Sequence, residues 1–169
     1  SGLTILDITD KANPTSVDSI YYNAGSLAWQ SSYKKVIVSG NYAYVAAYKY
    51  FYVFDISDPT DISHTGTFQC SDGCNDFDLD GSYVYLANSY YGLEILDVST
   101  PSSPTEVGSH DDITGTSASI VDVVKSGNYV CAIKSDNTDA SSTDKLYVYD
   151  VSTPSAPSLV SSISYNDDT

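Results

Sequence analysis

The fold is decided by one stretch of sequence, Gly81-Ser-Tyr-Val-Tyr-Leu-Ala-Asn-Ser-Tyr-Tyr-Gly-Leu-Glu-Ile-Leu-Asp-Val-Ser-Thr-Pro101. Its first apolar segment, Tyr83 to Ala87, is β-branched and aromatic, which suits a strand. Asn88 to Gly92 provides the residues of a hairpin connection. The return strand, Leu93 to Val98, ends at Ser99-Thr-Pro101, because proline has no N–H to donate to a ladder. The stretch predicts a strand, a turn, a second strand and a second turn.

The same unit occurs before and after this stretch. Gly40-Asn-Tyr-Ala-Tyr-Val-Ala46 precedes Tyr50-Phe-Tyr-Val-Phe-Asp-Ile-Ser-Asp-Pro59, and Gly127-Asn-Tyr-Val-Cys-Ala-Ile133 precedes Lys145-Leu-Tyr-Val-Tyr-Asp-Val-Ser-Thr-Pro154. A fourth copy, Gly2-Leu-Thr-Ile-Leu-Asp-Ile-Thr9, has only the second half. The period is marked by the aspartates that close the return strands, which are 48, 42 and 53 residues apart: Asp7, Asp55, Asp97 and Asp150. Periods of this size indicate the four-stranded blades of a β-propeller.

The sequence of the repeat resembles the LVIVD repeat family over essentially the whole chain. The resemblance is carried by a Gly-Asn-Tyr-x-Tyr-Val-Ala strand followed by Gly-Leu-x-Ile-Leu-Asp-Val-Ser-x-Pro. The resemblance implies a β-propeller in secreted or cell-surface proteins of bacteria and archaea, and it implies no particular chemistry. We therefore expect an all-β chain that forms one propeller or propeller segment over residues 1–169. Its four-stranded antiparallel blades are predicted at residues 34–75, 76–120 and 121–169, after an N-terminal half-blade at 1–33.

The composition excludes two classes of partner. With 22 acidic and 7 basic residues, the formal net charge is −15, so the surface repels nucleic-acid phosphates and anionic lipid. No stretch approaches the ~20 apolar residues of a membrane span. We expect a solvated acidic surface, an extracellular or cell-surface location, and neither nucleic-acid binding nor membrane insertion. Ser1 enters in the middle of a repeat, which suggests a processed terminus or a cut rather than a natural blade boundary.

The cysteines and the turn aspartates have predicted structural roles. Cys70 and Cys74 lie in one connection, and in a secreted setting they form a short disulfide. Cys131 replaces a strand tyrosine, so it is predicted to be a buried free thiol. The aspartates that close the return strands are predicted to accept backbone N–H bonds in the turn; the alternative is a ligand site at Asp55, Asp97 or Asp150.

The inner strands hold one set of charged residues of interest. Asp76-Phe-Asp-Leu-Asp-Gly81 begins like a calcium loop, but its twelfth position is Ala87, where an EF-hand needs a bidentate glutamate. Lys35, Asp76 and Asp122 each stand five residues before a blade glycine, and equivalent inner positions converge at the propeller axis. They predict an ion-pair network or, as the alternative, a cation site with Asp76 and Asp122 as the metal candidates. No cofactor is expected beyond this alternative of calcium.

No catalytic set is recognisable, so we predict that the chain is not an enzyme. His64 and His110 lack a paired Cys or Glu at ligand spacing and are predicted to be exposed. No Gly-x-Ser-x-Gly elbow occurs, although a glycosidase pair of distant carboxylates stays open. Trp29 is predicted to pack between blades rather than to form a ligand platform. The polar insertion at 135–144 is predicted to be an exposed, mobile loop.

The favoured function is a structural or interaction module of a surface assembly or filament. Three and a half blades cannot close an ordinary propeller, and the strand at Leu3, Ile5 and Asp7 lacks the two inner strands that should precede it. This assembly edge predicts completion by β-strands from outside the stretch, either further repeats or identical subunits. The alternative function is a binding propeller that holds a carbohydrate or a cation at the channel mouth.

Overall fold

The computed structural model describes residues 2–22, 32–111, 118–136 and 144–165, which contain fourteen β-strands. The half-blade is a two-stranded sheet of β1 (Leu3–Asp7) and β2 (Thr15–Ile20). The first blade consists of β3 (Tyr33–Ser39), β4 (Tyr42–Ala47), β5 (Tyr50–Asp55) and β6 (Ser63–Gln69). The second blade consists of β7 (Cys74–Asp80), β8 (Tyr83–Asn88), β9 (Leu93–Asp97) and β10 (Thr105–His110). The third blade consists of β11 (Ala118–Ser126), β12 (Tyr129–Asp136), β13 (Asp144–Asp150) and β14 (Ser158–Tyr165).

The three blades are antiparallel meanders in which each strand pairs with its neighbours in sequence. The predicted fold class, four-stranded blades after a two-stranded half-blade, is confirmed. The inner strand β7 extends from Cys74 to Asp80, beyond its apolar residues Phe77 and Leu79. None of the helical segments in the described part of the chain has the length and apolar character needed to cross a membrane.

Blades stack because both faces of the middle strands are apolar. Successive side chains of a strand point to opposite faces, so Ala43 and Val45 pack with the half-blade while Tyr44 and Ala46 pack with the second blade. Every residue from Ala43 to Ala47 is therefore buried. The lack of alternation between buried and exposed residues in this strand is thus the consequence of burial on two sides.

The outer strands share one irregularity, a β-bulge. Each of the four outer strands contains a bulge opposite the end of the return strand, and the bulged residues are Val17, Thr65, Val107 and Val160. A bulge increases local twist, and the twist lets the outer strand follow the curvature of the blade. The residue after the bulge contacts the next blade at Asp18, Gly66 and Gly108.

Two predicted environments are wrong. Cys131 is a free thiol but only half-buried, because no blade in the described chain covers its face of the third blade. His64 and His110 are half-buried rather than exposed: His64 stacks on Tyr22 with ring centroids 3.7 Å apart, and His110 lies 5.4 Å from the Tyr149 ring. Both histidines lie at junctions between blades, which outer-strand positions in a sequence do not reveal. Trp29 and most of the 135–144 insertion lie outside the described residues.

Candidate functional site: inner strands and open blade faces

The inner strands bring together the predicted charged trio. Lys35 Nζ lies 2.9 Å from Asp76 Oδ1, and Asp122 hydrogen-bonds to Asp76. The backbone N–H of Val123 donates to Asp76 Oδ2 at 3.1 Å. Asp76 therefore links the inner strands of all three blades.

The two carboxyls of this trio have pKa shifts of opposite direction. The hydrogen bond with Asp76, together with burial, raises the pKa of Asp122. Burial by itself would raise the pKa of Asp76, but hydrogen bonds from Asp122, Lys35 and the Val123 amide outweigh burial and hold this pKa below its usual value. Asp76 is the carboxyl kept ionised, with Lys35 as its counter-ion. Among the described residues, no group of three or more His, Cys, Asp or Glu side chains could hold a metal ion, so the geometry supports the ion-pair alternative.

The remaining carboxylates of β7 join the second blade to the third. Asp78 Oδ2 accepts the backbone N–H of Lys125 at 2.8 Å, and Asp80 Oδ2 lies 3.1 Å from Lys125 Nζ. The same ammonium lies 5.3 Å from the centroid of the Tyr85 ring. The carboxylates of β7, whose sequence begins like a calcium loop, therefore bind the second blade to the third.

The turn aspartates have the structural role that the sequence predicts. In each copy the aspartate that closes the return strand accepts the backbone N–H two residues later, at 2.7–2.8 Å. Hydrogen bonds from the side-chain hydroxyl and the backbone N–H of the residue two positions later lower the pKa of each carboxyl, the hydroxyl contributing more at Asp7 and Asp55 and the N–H more at Asp97 and Asp150. The carboxylates stabilise the turn, and their described contacts leave the ligand alternative without support.

A buried polar cluster beside the Cys70–Cys74 disulfide was not predicted. Asn88 Oδ1 accepts the backbone N–H groups of Asp72 and Gly73 at 3.1 and 2.9 Å, and Asn88 Nδ2 donates to Glu94 Oε2. Ser71 Oγ donates to Glu94 Oε1 at 3.2 Å. Burial, with a contribution from the charge of Glu106, raises the pKa of Glu94 to about 7. The sequence signal was a glutamate in an apolar return strand, where the other full blades have tyrosine.

One face of the third blade is apolar, and none of the described blades covers it. Val124, Ile133 and Ile163 on this face are 55%, 43% and 56% exposed. The positions equivalent to Cys131 and Ile133 in the first two blades are Tyr44, Ala46, Tyr85 and Ala87, all of which are buried against the next blade. The rim of the face contains a cavity of about 390 Å³ lined by Ile133, Asp144, Lys145, Leu146 and Tyr165.

At the opposite end of the stack, the described strands leave the inner strand of the first blade uncovered. Val36 and Val38 are 49% and 60% exposed, whereas Phe77, the equivalent of Val36 in the second blade, is fully buried. The two strands of the half-blade cover only the outer part of the first blade, where Leu3 and Ile5 pack. In the described residues, β1 pairs with β2 alone. Of the predicted edge, Leu3 and Ile5 therefore face inward, Asp7 stabilises its turn, and Leu6 is exposed.

Comparisons with known proteins agree with this architecture. The LVIVD repeat model matches residues 1–21, 32–69, 74–112 and 118–166. The structure of the computationally designed Ika4 protein is similar at a TM-score of 0.57 and 17% identity, over 78% of this chain and 72% of that one. The designed Ika8 protein has a TM-score of 0.56 and 17% identity, over 79% of this chain and 37% of that one.

A further similar structure is a chain of the S. cerevisiae complex of dbp5 with nup159 and gle1. It has a TM-score of 0.59 and 13% identity, over 94% of this chain and 42% of that one. The chain thus spans less than half of the length of this structure and of the Ika8 structure. Identities this low show the fold alone. No curated protein matches the sequence.

Proposed function

The chain belongs to the LVIVD repeat family, and from this premise we propose that it is a non-enzymatic structural or interaction module completed by β-strands from outside this stretch. The observation that carries the proposal is the pair of uncovered apolar surfaces at the two ends of the blade stack. In a stack of blades, each face is covered by the next blade, and here the same positions are buried inside the stack and exposed at its ends.

Exposure of the uncovered apolar surfaces to water is unfavourable in free energy. Burying apolar surface contributes roughly 25 cal/mol per Å². A partner could bury such area on the third blade at Val124, Ile133 and Ile163, and on the first blade at Val36 and Val38. Contiguous exposed apolar surface marks interaction sites in soluble proteins.

The half-blade indicates which kind of partner would fit. Because β1 has a free edge in the described part of the chain, its N–H and C=O groups can pair with an added strand. Two added strands beside β1 would complete the half-blade and would cover Val36 and Val38. The proposed partner is therefore protein, in the form of further repeats or another subunit, rather than a small molecule.

The charge and the disulfide support an extracellular or cell-surface location for this module. A net charge of −15 opposes binding to nucleic acid and to anionic lipid. The Cys70–Cys74 disulfide is a bond that persists in oxidising compartments. Because subunits of like charge repel one another, added salt should strengthen association.

The test is the behaviour of the 169-residue chain by light scattering and by hydrogen exchange. We expect fast exchange at residues 3–8 in the monomer and association that increases with concentration and salt. Ile133→Asp and Val36→Asp should abolish association, whereas Tyr91→Ser, an exposed residue on the β8–β9 connection, should not change it. A monomer at high concentration with residues 3–8 protected from exchange would remove the proposal.

A second candidate function rests on one observation. Tyr90 and Tyr91 are neighbours on the β8–β9 connection, and their side chains are 50% and 53% exposed. Exposed aromatic rings that keep a hydroxyl are suited to stacking on a sugar. A glycan array with the wild-type chain and Tyr90→Ala tests this candidate, and binding that is equal in both proteins, or absent in both, would exclude it.

A further inference from the structure

Each junction between full blades depends on one very close approach. Gly66 lies opposite Val53, and a Cβ atom added to it would lie 2.2 Å from the Pro101 carbonyl oxygen and 3.0 Å from Pro104 Cδ. At the next junction, a Cβ atom on Gly108 would lie 2.3 Å from the Pro154 oxygen and 3.1 Å from Pro157 Cδ. Only glycine therefore fits at this point of the outer strand when the turn of the following blade has a proline seven residues after its aspartate.

The junction between the half-blade and the first blade has different residues at the same two positions. Asp18 lies opposite Ile5, as Gly66 lies opposite Val53. Ile62 stands seven residues after the turn aspartate, as Pro104 and Pro157 do. The Ile62 N–H, which proline lacks, donates to Asp18 Oδ2 at 2.8 Å. A side chain with an acceptor oxygen thus replaces glycine where the turn offers an N–H.

Each open end of the stack has one unmatched member of such a pair. Ser161 lies opposite Val148 on the uncovered face of the third blade, at the position of Gly66 and Gly108. Pro14 stands seven residues after Asp7, at the position of Pro104 and Pro157. Both Ser161 and Pro14 are exposed, whereas Pro104 and Pro157 are buried between blades. Ser161 has an acceptor oxygen and a Cβ atom, so it resembles Asp18 in the junction with Ile62. Pro14 has no N–H, so it resembles Pro104 and Pro157 in the junctions with glycine. The two ends therefore belong to different kinds of junction.

We propose that the uncovered face of the third blade binds an LVIVD-type blade whose turn has a residue other than proline seven positions after its aspartate, with the N–H of that residue donated to Ser161 Oγ. The half-blade of a second copy of this chain binds this face more weakly. Pro14 cannot donate to Ser161, and the Ser161 Cβ atom would meet the carbonyl oxygen of Lys11, which holds the place of Pro101 in that turn. This inference rests on the proposed function and makes a non-identical repeat the preferred partner on this face.

The experiment measures self-association of four full-length chains by sedimentation equilibrium at high ionic strength: wild type, Pro14→Ala, Ser161→Gly, and the double variant. Pro14→Ala restores an N–H for Ser161, and Ser161→Gly restores the glycine–proline pair. Each single variant should associate at least about tenfold more tightly than wild type, the scale of one hydrogen bond or one relieved clash. The double variant should lose most of this gain, because its new N–H has no acceptor.

Two matched variants serve as controls. Pro59→Ala exposes an N–H in the turn of the first blade, and Ser162→Gly changes the neighbour of Ser161 on the opposite face of β14. Both should associate as wild type does. Thermal unfolding followed by circular dichroism verifies that each variant is folded.

Two outcomes would overturn the inference. Single variants that gain no affinity over wild type would show that Ser161 and Pro14 are compatible, and the proposed function would stand. A double variant at least as tight as both single variants would show that these positions do not select the partner. Neither of these outcomes affects the hydrogen-exchange result at residues 3–8, on which the proposed function depends.

Discussion

Asn88 donates a hydrogen bond from Nδ2 to the buried carboxyl of Glu94, while its own Oδ1 accepts two backbone N–H groups of the disulfide-closed loop. Glu94 is 2% exposed, and its pKa is raised to about 7. The pair thus connects the titration of a carboxyl to the anchoring of the connection between the first and second blades.

We expect Glu94 to make stability fall as pH rises above its unfolded pKa of 4.5. The neutral form is favoured in the folded state, so its contribution is fully present below pH 4.5 and is lost as pH rises through about 7. The full change corresponds to about 3 kcal/mol. Glu94→Gln keeps an oxygen for Asn88 and an amide for Ser71, so the fall in its free energy of unfolding between pH 5 and pH 7 should disappear.

Denaturant unfolding at several pH values measures this effect. The turn carboxyls, whose pKa values are lowered, lose stability only in the more acidic range. Burial lowers the pKa of His64 below its usual 6.5, so His64 makes stability rise with pH in this window, opposite in sign to Glu94. Glu106→Gln removes a neighbouring charge and should leave most of the slope in place. A wild-type slope that survives Glu94→Gln would assign the pH dependence to another group.

The Cys70–Cys74 disulfide should resist alkylation without reductant, whereas Cys131 should react. Replacing both bonded cysteines with serine should lower the free energy of unfolding by ~2 kcal/mol, since the closed loop is short. Cys131→Ser is the control and should change stability by less than ~0.5 kcal/mol. Mass spectrometry that finds three alkylated thiols in the unreduced protein would contradict the prediction.

Gly108→Ala should destabilise the chain by ~2–3 kcal/mol, because the new methyl group meets the backbone oxygen of Pro154. Ser109→Ala, on the adjacent exposed position of β10, should cost less than ~0.5 kcal/mol. Chemical denaturation of both variants measures the difference. Equal stability of the two would mean that the junction relaxes around an added Cβ atom.

Asp76→Asn and Asp122→Asn should differ in sign or in size although the two residues hydrogen-bond to each other. Asp76→Asn breaks the ion pair with Lys35 and weakens the bond from the Val123 amide, and we expect a loss of about 2 kcal/mol. Asp122→Asn relieves repulsion with Asp76 and should be neutral or slightly stabilising. Unfolding at pH 7 decides the matter, and a larger loss for Asp122→Asn would reverse our assignment of the charged carboxyl.

Local pattern was sufficient to predict the strands and their turns. The strands predicted at Tyr83 to Ala87 and Leu93 to Val98 agree with the structure to within one residue at their ends, and the aspartate that closes each return strand bonds within its own turn. The period of the repeat also predicted that Lys35, Asp76 and Asp122 would meet. Interactions within a turn, and positions that symmetry makes equivalent, can be found without knowing how the blades pack.

Environments that depend on a neighbouring blade could not be predicted in this way. The burial of Glu94 depends on Asn88 and on the loop at Ser71, and the half-exposed state of Cys131 depends on the lack of a covering blade in the described chain. The sequence by itself determined the repeat, the strand order and the convergence of the inner strands, since these follow from side-chain period and turn chemistry. Only the tertiary structure decided which glycine meets which proline and which apolar face stays open, because contacts between blades depend on distances of a few ångströms that a linear pattern does not contain.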